Sequence, residues 1–356
     1  MLSDQPGRYF VPFGQLRRQP TIVVDSTGLG AALTLAHWRG AATPLALRDD
    51  TSAGSCLRAL RAPATPGLAA RAVTANHFDI DGFMGVWALL NPELALAHEE
   101  LLRLVATLGD FREIDRLHPL ADHALQLGCW LNAEEKARFY EPFGPPARRR
   151  REDEASAEKF GWFLPRFAEI LANPEAGRAA WQPGYDRVQQ AVAALQAPLT
   201  QRTDYPAIGL TVVRTPAPVP YYALFGPTAG FDWVLSLYDG QRYELECKYT
   251  TWIDLASRPT LPRLPLAPLA ARLNELEKSS YRWAADPLTD TGPLLRLAGR
   301  RLSKAERYAD PDGRPIYTSS LAPGVVKAEV VAFLTKGYAG VQPKKYWTWA
   351  EVRNLE

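Results

Sequence analysis

Arg71-Ala72-Val73-Thr74-Ala75-Asn76-His77-Phe78-Asp79-Ile80-Asp81-Gly82 is a short β-prone run that ends in His-x-Asp-x-Asp-Gly and passes at once into the apolar stretch Phe83-Met84-Gly85-Val86-Trp87-Ala88-Leu89-Leu90. A strand that turns directly into a helix is half of a βαβ unit, and the helix N-terminus turns backbone N–H groups toward the same loop. The loop carries one imidazole and two carboxylates. Two ionised carboxylates this close repel, so the arrangement is costly unless a cation or hydrogen bonds offset it. His77, Asp79 and Asp81 are therefore the first candidate site, and Asp79 and Asp81 its first candidate metal ligands.

Working outward, the same alternation precedes this unit twice. Thr21-Ile22-Val23-Val24 leads into Asp25-Ser26-Thr27-Gly28-Leu29-Gly30 and a helix expected to run to about Trp38; Pro44-Leu45-Ala46-Leu47 leads into Asp49-Asp50-Thr51-Ser52 and a helix to about Leu60. Strands alternating with helices predict an α/β fold built on a Rossmann-like, mainly parallel sheet, whose ligand crevice lies beyond the carboxyl ends of the strands. Asp25, Asp49, Asp50, Asp79 and Asp81 are expected along that edge. Asp25 is the best further ligand, with helix capping as its alternative role. Gly28-Leu29-Gly30 is too short for a dinucleotide fingerprint, and no phosphate-binding Gly-Lys-Ser/Thr follows. No glutamate stands where a calcium loop would need one after Asp79-x-Asp81-Gly82.

From Glu93 to Tyr140 the leucines keep helical spacing. Gly109 reads as a helix end, with Asp110 in the loop beyond it. Pro145-Pro146 and the run Arg148-Arg149-Arg150-Arg151-Glu152-Asp153-Glu154 read as an exposed linker or the start of a charged helix. A helical segment follows to about Leu195. Beyond Tyr205-Pro206, β-prone runs at Ile208–Val213, Tyr221–Phe225, Phe231–Tyr238, Arg242–Thr250 and Val325–Leu334 predict a second, α+β domain. The expected division is 18–145 for the metal-binding α/β domain, 146–204 for a helical connector and 205–356 for the C-terminal domain.

Composition is that of a folded chain: 356 residues, 47% hydrophobic and 22% charged, with a net charge of +2 that argues against a bulk electrostatic polyanion binder and neither implies nor excludes nucleic acid. Cys56, Cys129 and Cys247 form no Cys-x-x-Cys pair and read as buried residues of a reducing compartment. With no signal-peptide core in Met1–Arg17 and no apolar run of about 18 residues, the expectation is a cytoplasmic protein that does not cross a membrane. His37, His98 and His118 have no partner at ligand spacing and read as structural.

The His77-Phe78-Asp79-Ile80-Asp81-Gly82 motif resembles the first motif of the DHH phosphoesterase superfamily, in which a strand runs into His-x-Asp-x-Asp-Gly and then a helix. The resemblance implies a Rossmann-like domain with a smaller C-terminal domain that helps select the substrate. It also implies hydrolysis of phosphodiester or phosphate ester bonds with Mn2+ or Mg2+. Metal-ligand roles for His77, Asp79 and Asp81 follow from it, and Gly109-Asp110 is similar to the family's later Gly-Asp element, adding Asp110. The chain has no Asp-His-His triplet; Asp122-His123 comes nearest. Two cations about 3.5–4 Å apart would activate a water and stabilise charge on the phosphate oxygens. The expected partner is a small phosphorylated molecule or a short oligonucleotide.

Two other readings stand beside it. Phe231-Asp232-Trp233 and Glu244-Leu245-Glu246-Cys247-Lys248 flank the hairpin signal Asp239-Gly240. Asp232 with Glu246-x-Lys248 resembles the acidic core of restriction-endonuclease-like nucleases; plain strand alternation, with Arg242, Glu244, Glu246 and Lys248 on a solvated face, is the simpler account. Trp233, Trp252, Trp283, Trp347 and Trp349, with Arg300, Arg301, Lys304, Arg307, Lys336, Lys344 and Lys345, would suit base stacking beside phosphate. The second reading is a non-enzymatic binding or scaffold protein in which the acidic loop is structural.

Overall fold

In the computed structural model the chain is described over residues 7–28, 30–140, 152–288, 294–300, 302–303, 306 and 309–353. Leu29, Pro145-Pro146, Arg148–Arg151, Arg301, Lys304 and Arg307 lie outside the described residues. The fold is α/β, with an all-parallel four-stranded sheet, a mixed six-stranded sheet and many helices. Two compact units divide at Asp186/Arg187. The helices expected in the connector fall on both sides of that division.

The first unit is built on β1 (Tyr9–Phe10), β2 (Thr21–Val24), β3 (Leu33–Leu35) and β4 (Ala72–Thr74), in the order β1-β4-β2-β3. Every pairing is parallel, so β2, β3 and β4 send their carboxyl ends to one edge. Strands 2 to 4 are buried throughout, which their Val, Ile, Leu and Thr content favours. Helices α1 (Ser52–Arg61), α2 (Ile80–Leu90), α3 (Pro92–Ala97), α4 (Glu99–Phe111), α5 (Ala121–Phe139), α6 (Glu152–Phe163) and α7 (Phe167–Ala172) follow, and α8 (Arg178–Gln196) carries the chain across the division. Gly85 lets α2 lie against the sheet: a Cβ there would stand 2.7 Å from Val24 Cγ1 and 3.1 Å from Cys56 Sγ.

Three expectations are corrected in this unit. The segment read as a helix to Trp38 contains β3, whose Leu33 and Leu35 pair with Ile22 and Val24. Leu45–Leu47, read as a strand, is a single 3-10 turn. Gly109 does not end its helix; α4 continues to Phe111 and stops at Arg112, which takes the left-handed φ of 55°. Gly109 is instead a contact point, since a Cβ there would lie 2.4 Å from Ile80 Cβ.

The second unit carries β5 (Gln201–Tyr205), β6 (Leu210–Thr215), β7 (Trp233–Tyr238), β8 (Arg242–Cys247), β9 (Arg282–Ala285) and β10 (Leu294–Ala298) in the order β5-β6-β7-β8-β10-β9. Only β6 and β7 pair in parallel. The β7–β8 hairpin forms as its sequence predicts, with Gly240 (φ 73°) and Gln241 (φ 55°) in the turn. Tyr221–Leu224 is helix α9, and Val325–Leu334 lies inside helix α11 (Pro323–Gly337), which follows α10 (Ala267–Leu276). Both runs were expected to be strands. In α11, Val326, Val330 and Leu334 recur every fourth residue and bury one face on the sheet, so helical spacing overrides β propensity.

Strand β8 is not half solvated. Its odd residues, Tyr243, Leu245 and Cys247, join the apolar core, while Glu244 and Glu246 on the other face are 1% and 7% exposed. Arg314 meets them there: its Nε and Nη2 donate to the two Glu244 oxygens at 2.9 Å each, and Nη2 donates to Glu246 Oε1 at 2.6 Å. Tyr221 Oη donates to Glu246 Oε1 and accepts from Arg314 Nη1 at 2.8 Å. Burial pushes the Glu244 carboxyl up to about 7 despite Arg314.

A candidate metal centre at the parallel-sheet edge

Each of the parallel strands β2, β3 and β4 delivers at least one acidic or imidazole group to the same edge within a few residues of its carboxyl end. Asp25 follows β2 directly with φ 48°, a left-handed conformation that Asp tolerates better than most side chains, and its N–H bonds to Leu35 O at 3.0 Å. His37 follows β3. Asn76, His77 and Asp79 follow β4, and Asp81 opens the first turn of α2. Asp110 arrives from the last turn of α4, brought close by the Gly109–Ile80 contact.

The carboxylates are ordered by helix ends. Asp79 is the N-cap of α2, its Oδ1 accepting from Gly82 N at 2.7 Å. Asp81 reaches instead to α1, where Oδ2 accepts from Ser52 N at 2.7 Å and Oδ1 from Ala53 N at 2.8 Å. Of the backbone N–H groups at these helix ends, Asp79 thus takes Gly82 N and Asp81 takes Ser52 N and Ala53 N. Capping and site roles coexist in Asp79, because its Oδ2 is left over and lies 3.0 Å from His77 Nε2. Asp25 Oδ1 accepts from Ser52 Oγ at 2.7 Å and Trp38 Nε1 at 3.0 Å.

Both imidazoles are held in the same way. His37 Nδ1 lies 2.6 Å from Asp50 O and His77 Nδ1 lies 2.5 Å from Asn76 Oδ1, and because a carbonyl oxygen only accepts, each Nδ1 carries the proton. Each Nε2 then faces carboxylates. His37 Nε2 is 3.2 Å from Asp110 Oδ2, 3.5 Å from Asp25 Oδ1 and 3.9 Å from Asp81 Oδ2. His77 Nε2 is 3.0 Å from Asp79 Oδ2 and 3.3 Å from Asp25 Oδ2. Asp25 therefore belongs to both groupings, one oxygen to each. Two sets of potential ligand atoms, Asp25–His37–Asp81 and Asp25–His77–Asp79, each gather within 4.8 Å.

The electrostatics follow from this crowding. Burial opposes a charged His37 ring, but Asp110, Asp81 and Asp25 outweigh it and raise the imidazole to about 10. Burial likewise opposes charge on His77, and Asp79 and Asp25 raise it to about 12. Burial, with Asp79 and Asp25 nearby, lifts Asp110 to about 7. Asp81 is pushed up by burial and by Asp110. Asp110 Oδ2 is buried and lies 3.2 Å from His37 Nε2.

A divalent cation fits this donor set. Carboxylate oxygens and an imidazole nitrogen, the second ring nitrogen donating to a carbonyl, are what a bound divalent ion requires, and a cation would relieve the repulsion. The inner set is closed off, with His37, Asp25 and Asp81 at most 2% exposed. The outer set meets solvent through His77 and Asp79, whose side chains are 24% and 36% exposed.

Of the residues singled out in the sequence, His77, Asp79, Asp81, Asp25 and Asp110 come together here. Asp49 does not join them; its carboxylate pairs with Arg58 and Arg103. His37, read as structural in the sequence, lies in the inner set. The strand that carries it was hidden in a presumed helix, and Leu33-Thr34-Leu35-Ala36-His37 parallels Val73-Thr74-Ala75-Asn76-His77, a strand-then-imidazole pattern that would have revealed it.

In the second unit, Asp232 accepts from Arg258 Nη1 and Leu261 N at 2.7 Å each. Glu246 is held by Tyr221 and Arg314, and Lys248 Nζ donates to Thr228 O at 2.6 Å and Phe225 O at 3.3 Å. Each of the three has its own set of partners. Trp233, Trp283 and Trp347 are core residues whose indole N–H groups bond to Tyr338 Oη, Glu277 Oε2 and Thr260 O.

Fold and centre together define an α/β protein with an aspartate–histidine cluster at the carboxyl edge of a parallel sheet. The chain belongs to DUF6687, a family of unknown function whose model matches residues 6–345. No curated protein and no solved structure matches the chain. Among the described residues, no helix is long and apolar enough to cross a membrane.

Proposed function

We propose that this protein is a divalent-metal-dependent hydrolase of phosphate esters or phosphodiesters, with Mn2+ or Mg2+ held by Asp25, His37, Asp81 and Asp110 in an inner half and by Asp25, His77 and Asp79 in an outer half. One observation carries the reading. Both imidazoles use Nδ1 on a carbonyl oxygen and aim Nε2 at carboxylates that share Asp25. A neutral Nε2 lone pair facing carboxylates is tenable only with a cation between them, a proton or a metal ion.

When bound, the metal ions supply an activated water and stabilise charge on the phosphate oxygens. The protein's own part is positional. Ser52 and Trp38 fix one oxygen of Asp25. Asp50 and Asn76 set the ring orientations, and the α1 and α2 N-termini hold Asp81 and Asp79. Burial of the inner half leaves the His77–Asp79 side as the approach for a phosphoryl group. The His-x-Asp-x-Asp-Gly motif at that approach supports a phosphoester substrate, a small phosphorylated molecule or a short oligonucleotide. Buried Cys56, Cys129 and Cys247, none of them in a disulfide, fit a reducing cytoplasm.

The test is hydrolysis of bis(p-nitrophenyl) phosphate and p-nitrophenyl phosphate by chelator-stripped protein, with and without added Mn2+ or Mg2+, beside Asp25→Asn. Metal-dependent turnover in the parent and its loss in the variant is the expected result. Metal-independent turnover, or none with either substrate and either ion, would count against the reading.

A further inference from the structure

The outer half of the centre rests on a helix that supplies none of its ligands. Phe78 stands between His77 and Asp79 and is 7% exposed. Its ring is stacked on Phe163 at 5.0 Å and 22°, meets Phe160 edge-on at 5.2 Å and 75°, and is tilted on Phe83 at 5.5 Å. Phe160 and Phe163, both 0% exposed, are two residues of α6, and Phe163 is itself wedged against Trp130 and Trp162. Lys159 of the same helix lies 5.7 Å from the Phe78 ring and is tied to Glu135 at 2.7 Å.

The inner half is assembled differently. Asp25, His37, Asp81 and Asp110 are held by β2, β3, α1, α2 and α4, through Ser52 N, Ala53 N, Ser52 Oγ and Asp50 O. None of those hydrogen bonds is made by α6, whose Phe160 and Phe163 do also meet Phe83 of α2, at 6.3 and 5.8 Å between ring centroids. A ligand pair on a loop keeps its geometry only if something fixes the loop, and metal sites tolerate errors of only about 0.5 Å. Asp79 Oδ1 on Gly82 N fixes one end of the loop, and the aromatic cage around Phe78 fixes its middle.

We propose that Phe160 and Phe163 are positioning residues for the outer half of the centre alone, setting His77 and Asp79 through Phe78, so that the docking of α6 governs one cation position and not the other. The inference rests on the metal-centre reading above. It makes the two positions separable: the inner one follows from the sheet edge, the outer one from an aromatic contact made about 80 residues further along the chain.

The experiment is titration of chelator-stripped full-length protein with Mn2+, free Mn2+ being counted by its electron paramagnetic resonance signal. The parent is expected to take up two equivalents, one per ligand set. Phe163→Ala should keep the first and weaken the second by about tenfold or more, as loss of a supporting contact does in metal sites. Phe163→Leu, which refills most of the cage, should recover most of that loss. Trp181→Ala removes a buried aromatic that packs on Tyr185 and not on Phe78, and should leave both equivalents in place. The inference is overturned if Phe163→Ala retains both equivalents at parental affinity, or loses both together. A parent that binds no Mn2+ ends the metal reading and this inference with it, whereas a parent that binds two while Phe163→Ala behaves like Trp181→Ala ends this inference only.

Discussion

His37 Nε2 lies 3.2 Å from Asp110 Oδ2, a contact between the loop just past a three-residue strand and the last turn of a helix more than seventy positions later. Asp25 and Asp81 lie on the same nitrogen's other sides, at 3.5 and 3.9 Å.

Removing that imbalance of charge should be visible as ligand-dependent stability. Saturating Mn2+ at about 100 times its dissociation constant stabilises a one-site protein by about 2.7 kcal/mol. Chelator-stripped parent is therefore expected to melt several degrees higher with Mn2+ than without. His37→Gln and Asp25→Asn should each abolish most of the shift in differential scanning calorimetry. An equal shift in either variant would remove that residue from the centre.

Protons and metal ions compete for the same position. His37 is raised from 6.5 to about 10 in the metal-free fold, so its contribution to stability is full below pH 6.5 and is lost as pH rises through 10. Metal binding must displace that proton, so affinity should increase with pH across the same window. Calorimetric titration with Mn2+ at pH 7.5 in two buffers of different ionisation enthalpy should report proton release. Identical heats in the two buffers would contradict the assignment.

Gly109 is a packing requirement of the site. Its missing Cβ would fall 2.4 Å from Ile80 Cβ, so Gly109→Ala forces α4 and α2 apart at the point where each delivers an aspartate. The expected cost is about 1–3 kcal/mol, read from urea denaturation, together with weaker Mn2+ binding. Unchanged stability and binding would show that the helices accommodate the methyl group.

Arg314 is a counter-ion of the two β8 glutamates. Truncation to Ala leaves Glu244 and Glu246 buried without their guanidinium, and removal of one partner from such a cluster costs about 3–5 kcal/mol. Arg314→Lys cannot reproduce the bidentate fork on Glu244 and should recover only part of the loss in thermal melting. A melting temperature within a degree of the parent for Arg314→Ala would place the stability of this face elsewhere.

Much of the first unit was legible because its information is local. Asp79 and Asp81 declare themselves by standing together between a strand and a helix, and Asp25 by ending a run of Ile and Val. Asp110 is placed by the sequence in a loop and by the structure in the last turn of α4, because Gly109 reads as a terminator when it is a contact between helices. His37 was lost for a physical reason. Three residues are too few to show a strand period, and Leu33 and Leu35 are identified as a strand only by their pairing with Ile22 and Val24. In the second unit, alternation in β8 reads as one wet face and one dry, yet Arg314 arrives from residues far along the chain to neutralise the polar face. Long-range neutralisation of that kind leaves no trace in the strand itself.

Asp81 has a consequence for how the protein can be studied. Because both its oxygens close the first turn of α1, it is a beam of the building as well as a fixture in the room. An inactive Asp81 variant would be ambiguous, since an unravelled helix and an emptied site would look alike at the bench. His77, partly open to solvent and closing no helix turn, is the position from which a folded but disabled reference protein can be made.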